Sequence, residues 1–364
     1  MTRNWLWSLA ALPALFVARK LRKDPQFGGK PEGTYLKRLK ASPQWKRGRF
    51  RNIDRTPIQE DFKSLIGDLI GYMRAKDTFP RLAVPTVRDE SPTPPDPKAH
   101  YLTWYGHSAL RLETNGQTIL LDPMLEDWVA PIPFLGHRFQ YAASPLNGDF
   151  ERINLVIFSH DHYDHLDMNS IERLDPVTDH YLVPLGVGIH LMAWGVSAEK
   201  ITELDWWDCT TIKGVEYTLT PARHFGGRSP GMRNKSLWGS FAIRLADGKN
   251  IYFGGDSGYG SHFKEIGEKL GPFDLTMLDC GQYHDRWQGV HMQPEEAIQA
   301  HDDLNGDQLL PIHWGGFTLS NHPWSDPIRR ILEADRKACV LTPSIGERFQ
   351  LGSKEFCQPR WWEE

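Results

Sequence analysis

Leu155-Val156-Ile157-Phe158-Ser159-His160-Asp161-His162-Tyr163-Asp164-His165 is the stretch on which the reading of this chain turns. Four apolar residues make a short strand buried on both faces, and the polar run begins at its end. His160, His162, Asp164 and His165 follow at i, i+2, i+4 and i+5. Neither the helical nor the strand period turns all four side chains to one side, so the loop is irregular. Imidazole nitrogen and carboxylate oxygen suit zinc, and this spacing supplies ligands to two metals from one loop. A solvated, histidine-rich surface loop is the bland alternative, and a buried strand feeding straight into the ligands argues against it. The expectation is a two-metal hydrolase.

One loop cannot complete two zinc sites that also hold a shared water, so further ligands are sought at the ends of later strands. Three candidates stand there. His224 follows the strand-like run ending in Thr220-Pro221, and Asp256 follows Ile251-Tyr252-Phe253-Gly254-Gly255. His313 follows Leu309-Leu310-Pro311-Ile312 and precedes Trp314-Gly315-Gly316. Any one of them alone would more often cap a turn; in this order, after the first loop, they read as a set.

The chain has 364 residues and an ordinary apolar and charged content, enough for one large domain or two. Four cysteines, Cys209, Cys280, Cys339 and Cys357, lie far apart with no CxxC pair. They suggest neither a disulfide framework nor a thiolate site, which favours a reducing compartment. The net charge of −4 hides an asymmetry, because residues 1–51 carry 13 Lys/Arg against Asp24 and Glu32 alone. The acidic remainder argues against a nucleic-acid partner. Residues 5–18 (WLWSLAALPALFVA) are uncharged and apolar, followed by Arg19, Lys20, Arg22 and Lys23. The run is short against the roughly 20 residues of a membrane span and lacks a clean A-x-A cleavage site. An interfacial anchor with a basic collar is the preferred reading, with a signal peptide, a short tilted span or a buried helix as alternatives. The collar suits a cytoplasmic leaflet; an exported, periplasmic protein is the other case.

Residues 24–98 read as a basic, partly helical extension. Phe62, Leu65, Ile66, Leu69, Ile70 and Met73 share one helical face over 58–75, and the Pro-rich 91–97 closes the segment. A catalytic domain is expected over 99–352 and a tail over 353–364. Buried strands are expected at 118–121, 155–158, 217–220, 241–245, 251–253 and 309–312, and helices at 263–270, 294–304 and 327–334. Asp247-Gly248 marks a hairpin. Strands interrupted by single helices indicate a layered α/β domain.

These motifs resemble the metallo-β-lactamase superfamily. Within it, Thr103-Trp104-Tyr105-Gly106-His107-Ser108, Leu237-Trp238-Gly239-Ser240, Gly271-Pro272-Phe273-Asp274 and Ile312-His313-Trp314-Gly315 are similar to the N-acylphosphatidylethanolamine-hydrolysing phospholipases D and their bacterial relatives. The similarity spans about residues 99–352. It implies a four-layer αββα sandwich with two Zn2+ at one edge. It further implies His160, His162 and His224 on the first zinc, Asp164, His165 and His313 on the second, and Asp256 bridging. The activity implied is attack by a metal-bridging hydroxide on a phospholipid, releasing phosphatidic acid and an N-acylethanolamine. Asp164, Asp256 and His291 are the catalytic candidates, His291 as the group that orients or protonates the leaving alkoxide. His107 and Asp167 are expected to orient ligands from behind, Asp161 to do the same or to be solvated, and Arg223 to meet phosphate or form a surface ion pair. Gly316 departs from the lipases, which carry threonine there. Another phosphodiester or a lactone stays open as the substrate, as do iron or manganese as the metal and a homo-oligomer as the assembly.

Overall fold

The computed structural model describes residues 24–56, 71, 74–88, 96, 98–129, 136–144, 150–334, 338–357 and 359–363. The apolar run at 5–18 and nearly all of the helix expected over 58–75 lie outside these residues. The extension begins with α1 (Gly33–Ala41) and a ribbon of β1 (Trp45–Lys46) and β2 (Arg49–Phe50). Phe50 is fully buried, and its N–H donates to Asn234 O at 2.9 Å. This stretch is therefore packed on the main body and not strung from it.

The main body is two seven-stranded sheets. The first holds β3 (Tyr101–Trp104), β4 (Leu110–Thr114), β5 (Gln117–Leu121), β6 (Leu155–Ile157), β7 (Tyr181–Pro184) and β8 (Ile201–Leu204), with β16 (Arg348–Gln350) beside β3. Helices α2 (Met168–Leu174) and α3 (Gly188–Ala193) lie between its later strands in sequence. The second sheet runs from β9 (Cys209–Ile212) through β10 (Val215–Thr220), β11 (Ser240–Arg244), β12 (Asn250–Phe253), β13 (Phe273–Asp279) and β14 (Gly306–Ile312) to β15 (Cys339–Val340). Its helices are α4 (His262–Leu270), α5 (Pro294–Asp303) and α6 (Asp326–Ala334).

Strand periodicity assigns the layers. Ile119, Leu121, Leu155, Ile157 and Leu182 belong to the large core shared with Tyr217, Leu219, Phe241 and Phe253 of the second sheet. Their neighbours Leu120, Val156, Phe158, Tyr181 and Val183 point the other way and pack with Ile171, Leu174 and Leu191 of α2 and α3. On the far side of the second sheet, Tyr252 meets Phe263 of α4 edge-on. The result is the expected αββα sandwich. All six expected strands and all three expected helices fall on observed elements, and Asp247-Gly248 turns the β11–β12 hairpin with Gly248 at φ 93°.

One expectation is corrected. Cys339 of β15 is disulfide-bonded to Cys357, with Cα atoms 5.4 Å apart, which removes the argument for a reducing compartment. The closing stretch folds back onto the edge of the sheet, a proximity that spacing along the chain does not reveal. Beyond it Trp361 and Trp362 are buried, and Trp361 stacks on Trp314 at 5.5 Å between ring centroids.

Candidate metal centre

β5, β6, β10, β12, β13 and β14 end at one edge of the sandwich, and the polar residues that follow them converge there. Two glycines bring the β12 loop in. A Cβ on Gly255, which has φ +56°, would sit 2.5 Å from the Ser159 side chain, so only glycine permits this approach. His107, Asp122 and His313 also adopt positive φ (54°, 41° and 66°), an uncommon conformation for residues with side chains and one that collects at functional sites. His107 and His313 hold each other's loops in place, with His313 N–H donating to His107 O at 2.9 Å and His107 N–H to Trp314 O at 2.8 Å.

Seven expected ligand residues come together in two adjoining groups. His160, His162, His224 and Asp256 each offer an atom within 4.8 Å of the others, and Asp164, His165 and His313 do the same together with His107. Asp256 reaches across both groups. Its Oδ2 lies 3.2 Å from His165 Nε2 and 3.8 Å from both His160 Nε2 and His224 Nε2, and its Oδ1 lies 3.0 Å from His313 Nδ1. His160 Nε2 is buried without a hydrogen bond, a costly state that a coordinated cation would relieve. The donor set is imidazole and carboxylate throughout, so these residues fit metal ions.

The outer nitrogens are held as ligands require. Asp122, absent from the expectations, accepts from His165 Nδ1 at 2.7 Å and from Ser159 N–H at 2.7 Å. It follows the buried strand β5 directly, and the strand-end rule that picked out His224 would have found it. His224 Nδ1 lies 2.9 Å from Val290 O. His107 Nε2 lies 2.9 Å from Asp164 Oδ2, as expected of a residue that orients a ligand from behind. Asp167 does not act in that way: it caps α2 by accepting from Ser170 N–H at 2.7 Å. Asp161 is buried, not solvated, and accepts from Gly227 N–H, Ser236 Oγ and His190. Arg223 forms no ion pair among the described residues; it donates to Thr56 Oγ1, Tyr259 O and Arg55 O. His291 is stacked on His313 at 5.0 Å, with Nδ1 3.4 Å from Asp279 Oδ2. Asp279, which ends β13, was also missed.

Burial holds His107 and His162 down at about 4, and with neighbouring imidazoles it keeps His160, His224 and His313 well below the ordinary range. Burial also lowers His291. Burial opposes the charging of His165 too, but Asp256, Asp164 and Asp122 overcome it and raise that imidazole. Burial lifts Asp256 to about 6 and Asp279 well above the carboxylate range. The unfolded chain therefore binds protons below pH 6.5 that six folded imidazoles refuse. Stability from these six is present above 6.5 and is lost as the pH falls toward 4. His165, Asp256 and Asp279 work in the opposite sense and are outnumbered. Metal-stripped protein is expected to melt at steadily lower temperature from pH 7 to pH 5, and a flat profile would contradict the burial of neutral imidazoles.

Comparison with known proteins agrees with this geometry. The family model described as "Beta-lactamase superfamily domain" matches residues 117–314. An uncharacterised protein of Mycobacterium tuberculosis is 34% identical over 98% of this chain and 96% of its own length. The N-acyl-phosphatidylethanolamine-hydrolyzing phospholipase D 1 of Caenorhabditis elegans is 30% identical over 70% of this chain and 76% of its own. A metallo hydrolase of the archaeon Ignicoccus hospitalis shares the fold, with a TM-score of 0.53 at 20% identity over 69% of this chain and 98% of that one. Two buried groups of metal-competent residues at one edge of an αββα sandwich, with relatives of this kind, identify the chain as a metal-dependent hydrolase belonging to the metallo-β-lactamase superfamily.

Proposed function

We propose that this chain is a dinuclear zinc phosphodiesterase of phospholipase D type, hydrolysing N-acylphosphatidylethanolamine-type lipids to phosphatidic acid and N-acylethanolamine. The reading is carried by the similarity to the nematode enzyme of that name over three quarters of its length, with every expected ligand residue gathered at one edge. His160, His162 and His224 would hold one zinc, Asp164, His165 and His313 the other, and Asp256 both. When bound, such a pair makes hydroxide available near neutral pH and offsets the charge of the phosphate.

The chain's own contribution is orientation and proton handling. Asp122 and Val290 O fix the outward nitrogens of His165 and His224, so the opposite ring atoms face inward. The P–O bond to the N-acylethanolamine breaks as the water oxygen joins phosphorus, and the departing oxygen needs a proton. His291, stacked on His313, is the candidate to orient or supply it. Membrane contact through residues 1–23 would bring the site to its lipid. Among the described residues, no helix is long and apolar enough to cross a membrane.

The test incubates the full chain, in detergent, with N-acylphosphatidylethanolamine micelles and follows both products by mass spectrometry. Both are expected together, absent after chelation and restored by zinc. Zinc-loaded protein that forms neither product overturns the lipid assignment and turns attention to other phosphodiesters and to lactones. His291→Ala is expected to lower kcat by roughly 10²–10⁴ with zinc content unchanged, the usual worth of a positioned proton donor. Wild-type turnover in that variant would remove His291 from the mechanism.

A further inference from the structure

The extension does more than rest on the catalytic domain. Asn52 spans both main-chain groups of His224: its Nδ2 donates to His224 O at 2.8 Å, and His224 N–H donates to its Oδ1 at 3.2 Å. This is the pairing that a neighbouring strand would give, supplied by one side chain. Oδ1 also accepts from Trp238 Nε1 at 3.0 Å, and Trp238 is buried. The amide orientation is thus fixed, because two N–H donors need the oxygen on that side.

The chain on either side reinforces the contact. Arg223, just before the ligand, donates to Thr56 Oγ1 at 3.1 Å and to Arg55 O at 3.2 Å. Upstream, Phe50 is wholly buried, and Lys235 Nζ donates to Gly48 O at 2.6 Å. Residues 48–56 therefore form a strap over the loop that carries His224. The ring of His224 is held separately at Nδ1 by Val290 O. What Asn52 controls is where the backbone carries that ring, since β10 ends four residues earlier.

We infer that Asn52 is a positioning residue for the first metal group, so that the N-terminal extension completes the centre. The inference rests on His224 being a zinc ligand. In the other group Asp164 and His165 sit in the β6 loop and His313 follows β14, and none of them contacts the strap directly in the hydrogen bonds described. Asn52 should therefore affect one zinc and spare the other.

The experiment uses the full chain in detergent and measures two zinc affinities by competition with a chromophoric chelator, along with the melting temperature of metal-free protein. Asn52→Ala is expected to weaken one equivalent by about 10–100-fold, the range typical for losing a partner of a ligand, and to leave the second equivalent near wild type. Asn52→Asp keeps the acceptor for His224 N–H and Trp238 and is expected to recover part of the loss. Wild-type affinity at both equivalents in Asn52→Ala overturns the inference. So does weakening of both together with a lower metal-free melting temperature, which marks a role in folding alone. A wild-type chain that takes up no zinc overturns the metal reading and this inference with it.

Discussion

Asp256→Asn is expected to cost at least one zinc equivalent and to lower kcat/KM more than ~100-fold, beyond what loss of an outer partner costs. The substitution preserves shape and removes the one carboxylate that lies within 4 Å of imidazole nitrogens in both groups. It is not expected to damage the fold. Burial raises the Asp256 carboxyl to about 6, so its charge is disfavoured where it stands, and a neutral amide relieves that cost in metal-free protein. The metal-free variant should melt no lower than wild type while the zinc-loaded one loses its advantage. Zinc analysis, lipid turnover and melting with and without metal form the check. A variant that keeps both zinc ions and its turnover would remove Asp256 from the centre.

Asp122→Ala is expected to have the largest effect on stability, about 3–5 kcal/mol, in the range for breaking a buried charged pair. Asp122 is fully buried and serves Ser159 N–H, Ser159 Oγ and His165 Nδ1 together. Its removal leaves Ser159 N–H and His165 Nδ1 without that acceptor, at about 1–3 kcal/mol for each buried group left unsatisfied. Zinc affinity should fall as well, because His165 loses the contact that fixes its ring. Denaturant unfolding of the metal-free variant gives the number, and a loss under 1 kcal/mol would show that Asp122 only fills space.

The candidate metal centre is legible because its residue types are rare in such density and because they follow buried strands. The β6 loop announced itself, and the strand-end rule then found His224, Asp256 and His313. Asp122 directly follows β5 and Asp279 ends β13, so the same signature marks them too, although a single Asp at a strand end more often caps a turn. The layer order came from resemblance, although the alternation of Leu120 with Ile119 and Leu121 shows afterwards how each strand serves two cores. Strand β8 (Ile-Thr-Glu-Leu) has no clear pattern, being only partly buried along most of its length. Partnerships across long separations left no local trace. Asn52 with His224, Cys339 with Cys357 and Asp122 with His165 each join residues whose sequence neighbourhoods say nothing of one another. Arg223 illustrates the reverse: its place beside His224 suggested phosphate or a surface ion pair and gave no hint that it braces the extension at Thr56 and Arg55.

The two groups draw on both halves of the sandwich, with His160, His162, Asp164 and His165 following a strand of the first sheet and His224, Asp256 and His313 following strands of the second. Ions seated there would act as rivets between the sheets at that edge. Opening that edge then requires shedding metal, so occupancy should set the local exchange rate of amide hydrogens at the ends of β6, β10, β12 and β14 while the opposite edge exchanges as before. Slow opening would accompany full occupancy, and a breathing rim its loss, which makes the metal supply a control on the mechanical unity of the molecule as well as on its chemistry.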